Sequence, residues 1–497
     1  MRVAGRNPLP FDPERRRLLS LAPALALAVC APAWSLAGAT PASIASLDDP
    51  ALLDDLEQRT FNFFRDTTPA ASGLAPDRWP SPSFASIAAV GFSLSAHVIA
   101  AGQGWTARDQ ARELTLTTLR FFHDAPMGPA ARGMAGHRGF FYHFIGQDTG
   151  ERFGNCELST VDTALLLAGV LHAAEFFNSN HWAEAEIRRI AENLAEHVDW
   201  RWAQHRPPSI SHGWTPENGF IASDWKGYNE AMLVYLLALG SPGRTVDADA
   251  WAAWSAWTST YERSWATFQG QTHLHFAPLF GHQYTHCWVD FRGIRDGWMR
   301  EISAPGGRAP GLDYFENSRR ATLAQRAYAQ ANPLGWKGYG GDIWGITACD
   351  GPADVVLPYR GKKRRFRSYA GRGAGGVASY DDGTLAPTAA LASLPFAPEA
   401  VLPALRALRG QYGDAIYGRH GFVDSFNPSF DFAQVRLTHG KIVPGLGWVD
   451  TDHLGIDQGP ISLMAANHRR DGVWALMRGC AQLRRGLQRA GFSGGWV

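Results

Sequence analysis

Acidic side chains stand at several junctions between loops and apolar helical segments, positions where proton-transfer chemistry is possible. Glu157 comes just before a predicted helix, and Asp162 falls in the first turn of that helix. Asp162 lies three residues after Ser159, the spacing of a capping box, and this spacing explains it structurally. No capping bond requires Glu157. We therefore predict that Glu157 is a functional acid and that Asp162 caps the helix.

Glu230 is the acid whose surroundings are most typical of a general acid. It begins an otherwise apolar helix over residues 231–239, so its neighbours should partly desolvate it and raise the pKa of its carboxyl group. The alternative is an acid favoured by the helix dipole, which would lower that pKa. Trp225 and Tyr228 stand beside it and could face a sugar ring, and Asn229 completes a cluster that capping does not explain.

Asp450 and Asp452 form a third acidic candidate, separated by one residue. In an extended segment they point to the same side, where like charges raise one pKa and favour a shared task such as holding a water molecule. The alternative is a pair of turn carboxylates. The same two interpretations apply to Asp342, which with Asp350 flanks Trp344. Trp344 and Trp448, close to these acids in sequence, are candidate sugar-binding residues.

Histidines are concentrated between residues 273 and 287, which raises the question of a zinc site. Their spacing matches no known metal motif, and we expect no metal. His275, Gln283, Tyr284 and Arg292 are suited to hydrogen bonding with hydroxyl groups, so we predict that they bind substrate. No G-x-G-x-x-G motif opens a helix after a strand, G-x-x-x-x-G-K-[ST] does not occur, and no G-x-S-x-G nucleophile elbow appears in the sequence, so we expect no cofactor.

The composition is typical of a large folded protein. The 497 residues include 47 basic and 46 acidic side chains, so no positive surplus is available for binding nucleic acid. Aromatic residues are abundant, with 19 Trp, 13 Tyr and 27 Phe. Because sugar rings offer apolar C–H faces that pack against aromatic rings, this abundance favours a carbohydrate ligand, although core packing also uses such residues.

Helical periodicity dominates the segments that must position these side chains. Apolar residues recur at spacings of three and four, and long connections rich in Gly, Pro and Trp separate the helical segments. Long connections within a compact domain are usually functional. We therefore predict an all-α toroid of about twelve helices with its site built from loops at one end. A small β-hairpin is predicted over residues 376–386, around Asp382 and Gly383.

The N-terminus has the pattern of an export signal. Arg15 and Arg16 precede the apolar run 18–29, and small residues follow near Ala39. We predict a twin-arginine-type signal peptide over residues 1–39 and a single catalytic domain over residues 40–497, located in the periplasm or secreted. No run is long enough to span a bilayer, and we expect a monomer. The four later cysteines form no C-x-x-C motif, and we interpret them as buried small side chains.

Six stretches of the sequence are together similar to one known family. They are N-C-E-L-S-T-V-D-T-A-L-L from Asn155, G-Y-N-E-A-M from Gly227, H-F-A-P-L-F-G-H-Q-Y from His275, D-Y-F-E-N-S-R-R-A-T from Asp313, Y-G-G-D-I-W-G-I-T-A-C-D-G-P from Tyr339 and P-G-L-G-W-V-D-T-D from Pro444. They resemble the glucoamylase-like domain of bacterial glycoside hydrolase family 144, from about Leu56 to the C-terminus. The resemblance implies an (α/α)6 toroid and a metal-independent, inverting, endo-acting hydrolase that cleaves β-1,2-glucan to sophoro-oligosaccharides.

The resemblance carries a catalytic role to Glu157 and Glu230 through their motifs, and less directly to Asp342, Asp450 and Asp452. We expect Glu230 to be the general acid and Asp450 or Asp452, exposed in a turn and ionised, to orient the water. Glu157 is the second candidate for either role.

Other functions stay open at this point. An exo-acting hydrolase that releases sophorose would carry the same motifs. A polysaccharide lyase could use a similar toroid, but it needs a Tyr or His base and cations facing a uronate, and the balanced charge predicts no basic groove. A non-catalytic glucan-binding protein would need the aromatic residues only and would leave the acids unexplained.

Overall fold

The computed structural model describes residues 49–255, 261–375 and 379–497. The predicted signal peptide lies outside the described residues. The α-helices are α1 Asp49–Thr67, α2 Ile87–Gly102, α3 Arg108–Asp124, α4 Thr160–Phe176, α5 Trp182–His197, α6 Trp200–Ala203, α7 Met232–Gly240, α8 Asp249–Ser255, α9 Tyr261–Ser264, α10 Gly297–Ser303, α11 Tyr314–Ala331, α12 Pro387–Leu391, α13 Pro398–Tyr412, α14 Gly455–Arg470, α15 Gly472–Met477 and α16 Ala481–Arg489.

Two kinds of helix alternate along the chain. Helices α2, α4, α7 and α14 are buried over most of their length, and every residue of the apolar α7 is buried. Helices α3, α5 and α13 bury one face only, as expected of amphipathic helices that cover a core. We call α2, α4, α7, α12 and α14 the inner helices.

The inner helices form a ring. Helix α12 contacts α14, α14 contacts α2, α2 contacts α4, and α4 contacts α7. Two 3-10 turns, Leu279–His282 and Thr285–Cys287, bridge the interval between α7 and α12. Thr285 donates to the carbonyl of Glu230 just before α7, and Gln283 donates to the carbonyl of Ala389 in α12. The predicted all-α (α/α)6 toroid is thereby confirmed.

Glycines allow the closest approaches within this ring. A Cβ on Gly169 of α4 would lie 2.0 Å from the carbonyl oxygen of Gly91 on α2. Outside the ring, at the C-terminal end of α7, a Cβ on Gly240 would lie 2.0 Å from the carbonyl oxygen of Gln482 on α16. Real Cβ atoms do not come this close, so the backbones touch because side chains are absent.

Short strands lie in the loops and fix the entry into the inner helices. They are β1 Arg78–Trp79, β2 Ala85–Ser86, β3 Gly136–His137, β4 Phe140–Phe141, β5 Phe144–Ile145, β6 Leu158–Ser159, β7 Gly213–Thr215, β8 Gly219–Phe220, β9 Trp265–Phe268, β10 Gln271–Leu274, β11 Ala348–Asp350, β12 Val355–Tyr359, β13 Lys362–Phe366, β14 Tyr369–Gly371, β15 Tyr417–Gly418, β16 Gly421–Phe422, β17 Phe426–Asn427, β18 Lys441–Val443, β19 Gly447–Val449 and β20 His453–Leu454. Strands β2, β6 and β20 end directly before α2, α4 and α14. Their pairing with β5, β7 and β1 therefore holds the N-terminal ends of three inner helices.

The hairpin predicted around Asp382 and Gly383 is wrong within the described residues. Tyr380 pairs with Gly373, and Leu385 pairs with the distant Phe426, so no two strands flank Asp382-Gly383. Residues 376–378 of the predicted hairpin lie outside the described residues. Asp382 instead holds Arg372 in a fully buried ion pair at 2.8 Å.

No helix in the described part of the chain combines the length and the apolar character needed to cross a bilayer.

Candidate active site

A cavity opens at the N-terminal ends of the inner helices. Its lining residues are Asp77, Ser86, His143, Val161, Asp162, Leu165, Glu230, Phe280, Tyr284, Ala348, Cys349, Tyr369, Asp424, Leu454, Ile456 and Asp457. Five of these side chains are carboxylic acids, and they come from five separate loops or helix starts. This concentration of buried acids on a common wall suits acid–base catalysis.

Glu230 is a buried carboxyl group on this wall, as its apolar context predicts. It lies two residues before α7 and is 5% exposed. Phe280 and Ile456 line the cavity together with it. Thr285 Oγ1 donates to the Glu230 carbonyl at 3.2 Å and fixes the backbone from which the side chain extends.

Tyr284 is a tyrosine of the cavity wall whose pKa is affected by both Glu230 and Asp457. Its hydroxyl donates to the Ile456 carbonyl at 3.1 Å. Burial, and then the nearby groups that include Asp457 and Glu230, raise the pKa of Tyr284 well above its usual range. Tyr284 therefore remains a neutral hydrogen-bond donor and is unsuited to act as a base.

His143 joins two of the acids near the start of α4. Its Nδ1 lies 3.1 Å from Glu157 Oε1, and its Nε2 lies 3.6 Å from Asp162 Oδ2. Asp162 also accepts a bond from the Ser159 hydroxyl, and its own backbone N–H donates to Ser159 Oγ at 3.2 Å. The predicted cap is confirmed, but Asp162 lines the cavity as well. Glu157 is not among the lining residues and reaches the cavity through His143.

Behind this wall lies an acidic cluster formed by Asp350, Asp424 and Asp450, all nearly completely buried. One carboxylate oxygen from each lies within 4.8 Å of the others. The backbone N–H of Asp350 donates to Asp424 Oδ2 at 2.7 Å, and the Ser425 hydroxyl donates to the same oxygen at 2.9 Å. Asp424 belongs both to this cluster and to the cavity lining.

Arg78 supplies positive charge to the cluster. Its guanidinium donates to Asp350 Oδ2 at 2.7 Å and lies 3.4 Å from Asp452 Oδ2 and 3.3 Å from Asp77 Oδ2. Three close oxygens could by geometry ligate a cation, but Arg78 already balances part of their charge. We therefore interpret the cluster as an acidic network whose charge Arg78 partly balances.

Asp450 does not have the environment that the sequence predicts for it. We expected an exposed and ionised turn carboxylate, but Asp450 is 1% exposed and Asp452 is 3% exposed. Burial, and then the charges of Asp350, Asp424 and Asp452, raise the pKa of Asp450 well above its usual value. Asp450 Oδ1 accepts backbone N–H bonds from Thr451 and Asp452. A neutral, buried Asp450 outside the cavity lining cannot orient water as an ionised base.

Asp342 is also in a different position from the one predicted. Its side chain is 56% exposed and lies 3.4 Å from the guanidinium of Arg326. It is on the surface, whereas Asp350, the acid on the other side of Trp344, belongs to the buried cluster. The turn interpretation therefore suits Asp342 better than a catalytic one.

Several predicted sugar-binding residues are core residues. Trp225 is 4% exposed and donates to Thr160 Oγ1, and Tyr228 is 3% exposed with its hydroxyl 3.3 Å from Ser318. Asn229 accepts the backbone N–H of Ala231 and thus shapes the turn before α7. These side chains orient the segment that carries Glu230 and are not among the residues that line the cavity.

The other predicted binding residues are dispersed. Gln283 bonds to α12, as described above, and Trp344 and Trp448 are almost completely buried. His275 Nε2 pairs with the Ala266 carbonyl, and Arg292 forms ion pairs with the buried Asp290 and with Asp471. Of the predicted binding set, Tyr284 alone is among the residues that line the cavity.

Several titratable residues of the lining have no counterpart among the predicted site residues. Among them are Asp77, His143, Tyr369, Asp424 and Asp457. His143 and Asp424 stand within the strongly apolar stretches F-Y-H-F and F-V-D-S-F, and a polar residue surrounded by apolar neighbours was a usable signal. Asp77 and Tyr369 are not surrounded by apolar residues in the sequence, so this signal could not have identified them.

Comparison with known proteins identifies similar chains. Residues 222–481 match the family model described as "Putative glucoamylase". The curated exo beta-1,2-glucooligosaccharide sophorohydrolase (non-reducing end) of Parabacteroides distasonis is 26% identical over 476 residues. That match covers 89% of this chain but 58% of the relative, so the chain spans little more than half of its length.

Solved structures share the fold. The structure of a putative glucoamylase from Bacteroides uniformis has a TM-score of 0.76 at 28% identity and covers 91% of this chain and 99% of its own. A beta-1,2-glucanase from Parabacteroides distasonis has a TM-score of 0.73 at 25% identity, covering 90% of this chain and 60% of its own.

Proposed function

This chain belongs to the putative glucoamylase family, and from that membership we propose that it is a glycoside hydrolase acting on β-1,2-glucan. The observation that carries the proposal is the set of five carboxylic acids, Glu230 among them, on one cavity wall. The substrate class is supported by two similar proteins whose names refer to β-1,2-linked glucans.

Glu230 is the proposed general acid. Its burial beside Phe280 and Ile456 favours the protonated carboxyl group, because desolvation penalises the charged form. The neutral carboxyl group gives its proton to the glycosidic oxygen as the bond to the anomeric carbon breaks. This role agrees with the one that its sequence context predicts.

Asp424 replaces Asp450 and Asp452 as the proposed base. It lines the cavity, and two hydrogen bonds donated to its Oδ2 stabilise the carboxylate form. The carboxylate takes a proton from a water molecule that attacks the anomeric carbon from the face opposite the leaving group. The anomeric configuration is then inverted. Such a mechanism needs about 6.5 to 9.5 Å between the two carboxyl groups to leave room for the water.

An endo-acting mode, releasing sophoro-oligosaccharides, is our first proposal for the cleavage pattern. The second candidate is exo action that releases sophorose, and it is favoured by the name of the curated relative from Parabacteroides distasonis. A lyase is disfavoured because Tyr284, a tyrosine on the cavity wall, is held in its neutral form. It is disfavoured also because the lining contains acids and no arginine or lysine that could bind a uronate.

The test is incubation of the purified protein with linear β-1,2-glucan, laminarin, cellulose and starch. We expect reducing ends to appear from β-1,2-glucan only. A ladder of oligosaccharides indicates endo action, and sophorose alone indicates exo action. Products that absorb in the ultraviolet would indicate a lyase, and binding without products would indicate a binding protein. Activity restricted to laminarin, cellulose or starch would contradict the proposed substrate.

A further inference from the structure

Trp79 is a large exposed aromatic side chain on β1, a strand that adjoins the cavity wall. It is 45% exposed, whereas the preceding Arg78 is 8% exposed and lies within the acidic network. This alternation follows from the extended backbone of β1, in which neighbouring side chains point to opposite faces. Trp79 therefore faces solvent from a strand whose other face contacts the site.

The position of Trp79 relative to the cavity follows from strand pairing. Strand β1 pairs with β20, so that Arg78 lies opposite Leu454 and Trp79 opposite His453. Leu454 lines the cavity, and so does Asp77, the residue before β1. Trp79 thus lies two residues after a lining residue along its own chain segment, and opposite the residue next to a lining residue on the neighbouring strand.

The backbone that carries Trp79 is tied down on both sides. Arg78 is anchored by ion pairs with Asp350 and Asp77, and the Ser81 N–H donates to Asp452 Oδ1 at 3.1 Å. The N–H of Gly455 donates to the Asp77 carbonyl at 2.9 Å. A ring presented by a fixed backbone loses little conformational entropy when a ligand packs against it.

Exposure alone does not identify a binding residue, since isolated apolar side chains are common on protein surfaces. Trp182, at the start of α5, serves as a comparison, since it is 66% exposed and therefore more exposed than Trp79. That start is tied to the C-terminal end of α4 through Arg108, which bonds to Glu184 and to the Phe176 carbonyl. Trp182 therefore lies at the opposite end of α4 from the cavity, and what sets Trp79 apart is its place on a strand that adjoins the cavity wall.

We propose that Trp79 is a substrate-binding residue that packs against a glucosyl unit of the chain outside the cavity. The inference rests on the proposed function, because it takes a glucan as the ligand. The indole offers a flat apolar face that can pack against the C–H face of a sugar ring. The acids that line the cavity remain available to act on the glycosidic bond that is cleaved. Trp79 then contributes to binding long chains and takes no part in proton transfer.

The test compares Trp79→Ala with Trp182→Ala as a matched control on β-1,2-glucan and on short sophoro-oligosaccharides. For Trp79→Ala we expect KM for the polymer to rise about 3- to 10-fold with kcat nearly unchanged, as the loss of one aromatic contact implies. The effect should be smaller on the shortest substrate, Trp79→Phe should restore most of the affinity, and Trp182→Ala should behave as wild type.

Equal KM values for Trp79→Ala and Trp182→Ala on the polymer would overturn this inference alone. A fall in kcat without a change in KM would also overturn it, because it would indicate a disturbed cavity. Thermal unfolding of each variant separates lost binding from lost folding. A wild-type protein that releases no sugar from any glucan would overturn the proposed function and this inference with it.

Discussion

Asp450 has an environment very different from that of a surface carboxylate. In the unfolded chain its pKa should be near its ordinary value of 3.8, whereas in the folded protein burial and three neighbouring acids raise it. As the pH rises above 3.8, the unfolded chain releases the proton and the folded chain retains it. The free energy of unfolding therefore falls with rising pH until the folded carboxyl group ionises as well.

Replacement of Asp450 by Asn should remove this pH dependence. An amide resembles the neutral carboxyl group, so at low pH the variant and wild type should unfold at similar temperatures. Above pH 3.8 the variant should gain relative stability, by about 1.4 kcal/mol for each unit by which the folded pKa is raised. Thermal unfolding of both proteins across a pH series measures the difference. If the stability of the variant relative to wild type stays constant or falls with rising pH, Asp450 is not neutral in the folded protein.

The sequence predicts single acids better than it predicts their partners. Glu230 could be identified because its local context, an apolar helix, is also its environment in the fold. Asp350, Asp424 and Asp450 come from three separate loops, and no local pattern announces that they meet. Asp450 was predicted to be exposed because Asp is frequent in turns, but β19 carries it into the interior.

At the scale of elements, the bounds of α13 agree with the periodicity because the amphipathic pattern has clear limits there. Helix α14 begins at Gly455 and contains Pro460. Proline within a helix leaves the carbonyl four residues earlier without its usual donor. The hydroxyl of Tyr284 donates to that carbonyl, on Ile456, at 3.1 Å. A tertiary contact thus allows a helix start that the local sequence disfavours.

The close contact between α2 and α4 makes a prediction about Gly169. A methyl group at this position would lie 2.0 Å from the Gly91 carbonyl oxygen, so Gly169→Ala must push the two inner helices apart. We expect a loss of about 1 to 3 kcal/mol in the free energy of unfolding, as for other overpacked cores. Urea unfolding measures it. Because α4 carries Asp162 at its start, activity should fall as well.

Gly410→Ala is the matched control, because Gly410 lies in α13 and a Cβ there meets no atom within 4 Å. Alanine should stabilise this exposed helix position by up to about 1 kcal/mol. Equal stability changes in the two variants would contradict the close helix contact.

At the scale of the whole molecule, the four cysteines of the described residues are free, so no disulfide links its parts. We propose that the protein is exported through the twin-arginine route, on the basis of Arg15 and Arg16. Replacing both by Lys should retain the precursor in the cytoplasm, as measured by cell fractionation and immunoblotting. Unchanged export of the variant would contradict this proposal.

The whole toroid also explains why the candidate active site lies at one end. Inner helices start at this end, loops with short strands fix their first residues, and five acids from distant parts of the chain reach one cavity. At the other end, the C-terminal helix α16 packs against α7. The central claim is that Glu230, held at the start of α7, is the proton donor of this site.

The most direct test is the turnover of Glu230→Gln on β-1,2-glucan, the proposed substrate, compared with Asp342→Asn, a surface acid in its ion pair with Arg326. Glutamine keeps the size of the side chain but has no acidic proton, so kcat should fall about 100- to 10,000-fold while folding and oligosaccharide binding persist. Asp342→Asn should keep nearly full activity. If Glu230→Gln retains more than about a tenth of the wild-type kcat, well short of the loss expected for a proton donor, Glu230 is not the general acid.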